Sequence, residues 1–169
     1  GLPAGGLSVL PATDSSGTTG PLFQDPRLRK VSFTGSTEVG RALMRQSSEQ
    51  ILRISLELGG SAPFLVFEDA DLDTAVDGAM AAKLRNGGEA CTAANRFLVH
   101  ESVADEFASR LTERIAAQVV GPGLDPASQV GPMIDAGAQQ RLAEIVAAAA
   151  EAGARVTTGG RALDRPGFF

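Results

Sequence analysis

The sequence contains only one cysteine, Cys91, and one histidine, His100, among its 169 residues. A single cysteine excludes a disulfide within the chain and is compatible with a reducing cytosol, so we expect a cytoplasmic protein. One cysteine and one histidine lack the ligand spacing of a metal site, and no metal is expected. No protease triad or Cys/His dyad can be built around His100, which we expect at the surface near a strand end.

Long apolar runs and an excess of positive charge are also missing. The alanine-rich stretch 145–150 is much shorter than the roughly 20 residues that span a bilayer, and glutamates flank it. The net charge of −5 is opposite to the basic footprint of nucleic-acid-binding proteins. The sequence therefore predicts neither a membrane protein nor a partner of nucleic acids.

The hydrophobic content of 43% is ample for a packed core, and predicted strands alternate with predicted helices along the chain. Segment 63–67 is almost wholly apolar, which is typical of a parallel strand covered on both faces. The alternation indicates an α/β fold with a parallel sheet. Strands are predicted at 7–10, 30–33, 51–58, 63–67, 96–100 and 155–158. Helices are predicted at 37–50, 72–84, 102–115 and 135–152, and a short helix or a turn at 15–23.

Cys91 lies in the segment Arg85-Asn-Gly-Gly-Glu-Ala-Cys-Thr-Ala-Ala-Asn95. A thiolate is the nucleophile of covalent catalysis, although free cysteines are more often buried and inert. The glycines, Asn86 and Glu89 make the approach to Cys91 polar and flexible. The local chemistry alone leaves both alternatives open.

Two further segments carry polar groups at expected strand ends. In Leu56-Glu-Leu-Gly-Gly60, we expect flanking leucines to desolvate Glu57 and favour a general base, with a capping or ion-paired glutamate as the alternative. In Phe33-Thr-Gly-Ser-Thr-Glu-Val-Gly40, a strand-to-helix turn offers amide groups and the positive helix end to a phosphate. The alternative there is an ordinary capped helix, and the usual Gly-x-Gly-x-x-Gly fingerprint is absent.

These two segments and Gly88-Glu-Ala-Cys91 stand in the order and approximate spacing of the aldehyde dehydrogenase superfamily, which the whole chain resembles. One departure is Ser61, where the family usually carries Lys or Asn. The resemblance implies an internal fragment of a longer, homo-oligomeric enzyme with the family's parallel-sheet, three-layer α/β fold. Residues 1–58 would be the C-terminal half of the cofactor-binding domain, and 59–169 the N-terminal part of the catalytic domain.

The resemblance also implies roles for individual residues. Cys91 would attack the aldehyde carbon, NAD or NADP would accept the hydride, and Glu57 would activate the water that releases the acid. The backbone N–H of Cys91 would be one oxyanion donor, whereas Asn86 and Asn95 are not expected to supply the second. The positions that match the family's cofactor-binding residues are Gly35, Ser36, Glu38, Val39, Gly40, Leu58 and Gly59.

Arg85 bears on the substrate, because a guanidinium can hold a carboxylate by two parallel hydrogen bonds. Succinate-semialdehyde dehydrogenases resemble this segment closely, and their matching arginine binds the substrate's distal carboxylate. Ala93 stands where some relatives carry a second, redox-active cysteine. The match at Arg85 leads us to expect that the enzyme oxidises succinate semialdehyde. For Arg85, the alternative is a surface ion pair. For the chain, the alternatives are oxidation of another aldehyde, such as betaine aldehyde or a broad aliphatic range, and an inactive structural fragment.

Overall fold

The computed structural model describes all 169 residues and contains two separate pairs of parallel strands. The chain divides into two compact units, Gly1–Gly59 and Gly60–Phe169, with one strand pair in each. The predicted α/β fold with parallel strands is confirmed, although as two two-stranded sheets. The assignment of residues 1–58 and 59–169 to a cofactor-binding and a catalytic domain stays a prediction.

The first unit pairs its two strands through a helical crossover, as parallel strands require. The strands run in register from Lys30 opposite Arg53 to Gly35 opposite Leu58. Both strands therefore end at the same edge of the sheet, and the helix that follows the first strand begins there. The elements are helix α1 (Ser15–Gln24), strand β1 (Lys30–Gly35), helix α2 (Thr37–Ser48) and strand β2 (Arg53–Leu58).

The second unit repeats this arrangement and adds two helices. The elements are β3 (Ala62–Val66), α3 (Leu72–Leu84), β4 (Ala94–Val99), α4 (Glu101–Ala116) and α5 (Ala136–Glu151). Asp71 caps α3 by accepting the N–H of Thr74 at 2.8 Å, as the acidic position before the helix predicts. A short 3-10 segment, Arg85–Gly88, connects the end of α3 to the Cys91 region. None of the helices has the length and apolar character needed to cross a membrane.

The core of the second unit lies on one face of its sheet, against α3 and α4. Val66, Val76, Met80 and Phe107 are buried there with Ala79. Two aromatic contacts extend this core from β3 through β4 to α4, with ring centroids 5.5 Å apart for Phe64–Phe97 and 6.2 Å for Phe97–Phe107. Burial of these apolar side chains stabilises the unit, and the paired rings add to that contribution.

The opposite face of the same sheet is exposed, which corrects the prediction that strand 63–67 is covered on both sides. Leu65 is 58% exposed and Leu98 is 54% exposed. Both side chains point away from α3 and α4, because successive strand residues face opposite sides. An all-apolar strand therefore has only one of its faces packed within this unit.

The strands predicted at 7–10 and 155–158 do not form. Segment 7–10 is mainly apolar and segment 155–158 is rich in β-branched residues. Neither has a neighbouring strand to supply the hydrogen bonds that a strand needs. Strand β2 begins at Arg53 instead of 51, because Ile51 adopts a left-handed φ of 54° that a β-branched residue enters only in a turn. The remaining predicted elements form with shifts of a few residues at their ends.

Candidate active site

The predicted cofactor segment forms a cluster at the strand ends of the first unit. Gly35 is paired with Leu58, and the next residue, Ser36, caps α2 by accepting the N–H of Val39 at 3.2 Å. Gly40 is buried, and a Cβ atom there would lie 2.6 Å from Leu58 Cδ2. The structure thus brings Gly35, Ser36, Gly40 and Leu58 together.

This cluster fits a phosphate-bearing ligand. The first amides of α2 have no intrahelical acceptor, and the helix dipole places partial positive charge there. Glu38 and Val39 occupy the first turn and are exposed, with Val39 46% exposed. Gly59 follows β2 directly and is exposed as well. All seven predicted cofactor positions therefore lie at or next to the same sheet edge.

Glu57 lies on β2 opposite Thr34, one residue before the end of the strand, and is exposed. The predicted desolvation by Leu56 and Leu58 is not observed. Neighbouring residues of a strand project to opposite faces, so both leucines point away from the side of the sheet that carries Glu57. The first unit leaves the carboxylate accessible to water.

Cys91 is exposed and lies in a turn that the hydrogen bond from Ala93 N–H to Ala90 O closes at 2.9 Å. The preceding 3-10 segment is interrupted by left-handed residues, with φ of 53° at Asn86 and 64° at Gly87. Gly88 continues in the same region with φ of 86°. Asparagine and glycine tolerate this conformation best, which explains the sequence of the segment. The thiol is exposed, so the buried cysteine given as the alternative is not observed.

Arg85 is the first residue of that 3-10 segment, immediately after α3, and its side chain is exposed. Its guanidinium makes no hydrogen bond or ion pair within the chain. The surface ion pair considered as an alternative is therefore not formed. All five donors of Arg85 remain available to a ligand.

A hydrogen-bonded chain next to Cys91 was not predicted. Lys83 Nζ donates to Asn95 Oδ1 at 2.7 Å, and Asn95 Nδ2 donates to the carbonyl oxygen of Gly60 at 3.3 Å. Arg96 donates to the next carbonyl, that of Ser61, at 3.0 Å. These contacts join the start of β3 to the start of β4 and the end of α3.

The sequence model of the aldehyde dehydrogenase family matches residues 1–169, the full length of the chain. The chain belongs to the aldehyde dehydrogenase family. The predicted family resemblance is confirmed.

Three relatives of known name illustrate the match. The chain is 60% identical over 169 residues to a succinate-semialdehyde dehydrogenase of Paenarthrobacter nicotinovorans, covering all of this chain and 38% of that protein. It is 49% identical to the succinate-semialdehyde dehydrogenase [NADP(+)] of Escherichia coli and 46% identical to a glutarate-semialdehyde dehydrogenase of Pseudomonas aeruginosa. All of this chain and 35% of each of those two proteins are covered. This aldehyde dehydrogenase chain therefore spans little more than a third of these relatives.

A solved structure shows the same fold. The succinate-semialdehyde dehydrogenase from Burkholderia pseudomallei superposes with a TM-score of 0.93 at 45% identity, covering 100% of this chain and 35% of that one. The predicted fold class, a part of the aldehyde dehydrogenase fold, is confirmed. Glu57 and the cofactor cluster belong to the first unit, and Arg85 and Cys91 belong to the second.

His100 has a structural role at the start of α4. It is exposed at the end of β4, as predicted, but it is also the residue that caps α4 in this aldehyde dehydrogenase. Its Nε2 lies 2.9 Å from a carboxylate oxygen of Glu68, and its Nδ1 accepts the N–H of Ser102 at 3.4 Å. The sequence contained one signal for this capping role, the predicted helix start at Ser102. The first N–H groups of a helix have no intrahelical acceptor, so a ring nitrogen of the neighbouring His100 can accept one of them.

Proposed function

We propose that this chain is part of an enzyme that oxidises succinate semialdehyde to succinate with NADP or NAD. The observation that carries this proposal is the unpaired, exposed guanidinium of Arg85 on the same short segment as the exposed thiol of Cys91. The printed names of the two succinate-semialdehyde dehydrogenases described above support it. A homo-oligomeric state and a cytoplasmic location stay predictions.

Cys91 is the proposed nucleophile. The Cys91 thiolate forms a bond to the aldehyde carbon, and the carbonyl oxygen becomes the oxyanion of a thiohemiacetal. The N–H of Cys91 can donate to that oxygen. A nicotinamide cofactor held by the cluster at the start of α2 would supply the hydride acceptor, and loss of the hydride would leave an acyl thioester on Cys91.

Glu57 is the proposed base for the second stage. A carboxylate that takes a proton from water generates the nucleophile that cleaves the thioester, releasing the acid and restoring the thiol. The exposure of Glu57 in the first unit supports access of water to this group. The cluster at the start of α2, with Gly35, Ser36 and Gly40, would hold the phosphates of NADP or NAD.

Arg85 is the proposed anchor for the substrate's distal carboxylate. Its planar donors match a carboxylate in two parallel hydrogen bonds, and no group of the chain competes for them. Glutarate semialdehyde is a second candidate, because it carries the same carboxylate on a longer chain and one relative is named for it. Betaine aldehyde, which is cationic, and uncharged aliphatic aldehydes lack the group that Arg85 would bind.

An aldehyde panel tests the proposal in a protein of the relatives' full length that contains these 169 residues. We expect kcat/KM for succinate semialdehyde to exceed that for butanal by ~10-fold or more, since one charged contact is involved. Glutarate semialdehyde should be the next best substrate. Equal kcat/KM for succinate semialdehyde and butanal would contradict the substrate assignment. The isolated chain is expected to show no turnover.

A further inference from the structure

The pairing of β3 with β4 contains an irregularity at Asn95. Ala62 is opposite Ala94, but the next residue of β3, Pro63, is opposite Arg96, so Asn95 has no partner on β3. The alternation of burial along β4 breaks at the same point, with Asn95 and Arg96 both exposed after the buried Ala94. An extra residue of this kind is a β-bulge, which redirects a side chain and is frequent beside active sites.

The bulge places Asn95 between a donor and an acceptor that fix its orientation. Lys83 can only donate, so it must meet the amide oxygen, at 2.7 Å. The carbonyl of Gly60 can only accept, so it must meet the amide nitrogen, at 3.3 Å. Asparagine satisfies both partners at once, whereas aspartate would satisfy Lys83 and leave the Gly60 carbonyl without its donor.

Gly60 connects the hydrogen-bonded pair Lys83–Asn95 to the candidate nucleophile, Cys91. A Cβ atom on Gly60 would lie 3.0 Å from the carbonyl oxygen of Cys91, so the two backbones are in close approach. Lys83 lies next to the same loop at Gly88. A Cβ on Gly88 would lie 3.4 Å from Lys83 Cε and 3.5 Å from its Nζ. The loop that carries Cys91 therefore runs beside both ends of the hydrogen-bonded chain.

We propose that Lys83 and Asn95 are positioning residues for Cys91, acting through the carbonyl of Gly60 and the backbone contact between Gly60 and Cys91. The inference rests on the proposed role of Cys91 as nucleophile. Its physical basis is that reaction rates fall steeply when a reacting group shifts by a fraction of an ångström to 1 Å. Neither side chain is required to touch the aldehyde.

The test uses Lys83→Met, Asn95→Asp and Lys83→Met/Asn95→Asp in the full-length protein, with rates expressed per titrated active site. Asn95→Asp is decisive, because it keeps a partner for Lys83 but removes the donor to Gly60. We expect Asn95→Asp to retain its melting temperature and to lose ~10-fold or more in kcat. The KM for the cofactor should change little, since its predicted site lies in the other unit.

Lys83→Met should reduce kcat by a similar factor, because the amide of Asn95 then loses the group that orients it. The double variant should be no slower than Asn95→Asp alone, as expected of residues that act as one unit. A retained kcat in Asn95→Asp, or strictly multiplicative effects in the double variant, would overturn the inference and leave a purely structural pair. Cys91→Ala separates the two proposals: turnover by that variant contradicts the nucleophile itself, whatever the Lys83 and Asn95 variants do.

Discussion

Gly60 stands so close to Cys91 that an added Cβ atom would be only 3.0 Å from the Cys91 carbonyl oxygen. Gly60 does not have a positive φ, so the glycine is needed for space and not for an unusual backbone conformation. The contacting atom belongs to the backbone, and it cannot move away as the end of a flexible side chain can. The contact therefore restricts both the start of β3 and the turn that carries the thiol.

Gly60→Ala should destabilise the second unit and disturb the Cys91 turn. We expect a cost of roughly 1–3 kcal/mol, typical of an overpacked site, in the free energy of unfolding measured with urea. Gly131→Ala is the matched control, because nothing lies within 4 Å of a Cβ at Gly131. If the two variants unfold alike, the approach of Gly60 to Cys91 is not a close packing contact.

Asp71 should make the stability of α3 depend on pH. Its hydrogen bonds with Thr74, first from the backbone N–H, hold the pKa of the carboxyl below its usual 3.8. The folded state thus favours the charged form, so this stabilisation is present above pH 3.8 and is lost as the pH falls through the folded pKa. Asp71→Asn keeps an N-cap acceptor but removes the titration.

Urea unfolding at about pH 7 and about pH 3 checks this expectation. The stability advantage of the natural protein over Asp71→Asn should shrink at the lower pH. Asp105→Asn, at an exposed position of α4, is the matched control for replacing an aspartate by asparagine. A difference between the natural protein and Asp71→Asn that is constant with pH would show that the carboxylate charge of Asp71 contributes nothing.

The helix that Asp71 caps shows what the sequence could predict. Helix α3 forms over 72–84 as expected, because a capping aspartate precedes it and the left-handed Asn86 and Gly87 follow soon after its end. Both signals are local. The positions of Gly35, Ser36 and Glu57 at a sheet edge were equally predictable, since a parallel pair joined by a helix must end its strands together.

Features that depend on strand pairing or on which face of a sheet is packed could not be predicted from the sequence. The segments 7–10 and 155–158 have the composition of strands, but composition does not show whether a neighbouring strand exists. The exposure of Glu57 depends on which face of β2 is packed, and apolar neighbours in sequence say little about that. Asn95 became recognisable only through the register of β3 and β4, because a bulge is defined by its partner strand.

Glu57→Gln in the full-length protein should separate the two chemical stages. Hydride transfer precedes the step assigned to Glu57, so a burst of reduced cofactor should remain. Steady turnover should fall by ~10²-fold or more, a typical contribution of a general base. Glu49→Gln, at the exposed end of α2, is the control. Unchanged steady turnover in Glu57→Gln would assign that residue a structural role.

Arg85→Ala should impair charged and uncharged substrates to different extents. We expect the KM for succinate semialdehyde to rise ~10-fold or more, because its carboxylate loses a charged partner. Butanal should be affected far less. Arg155→Ala removes an exposed arginine elsewhere in the second unit and serves as the control. Equal losses for both aldehydes would mean that Arg85 supports the Cys91 loop instead of binding substrate.

The nucleophilic role of Cys91 is the central claim, and trapping its acyl form tests it most directly. Glu57→Gln protein of full length is mixed with succinate semialdehyde and NADP, quenched in acid, digested and examined by mass spectrometry. We predict that the peptide containing Cys91 carries the added mass of a succinyl group, and that Cys91→Ala shows neither this adduct nor cofactor reduction. An unmodified Cys91 peptide together with continued oxidation by Cys91→Ala would contradict the account.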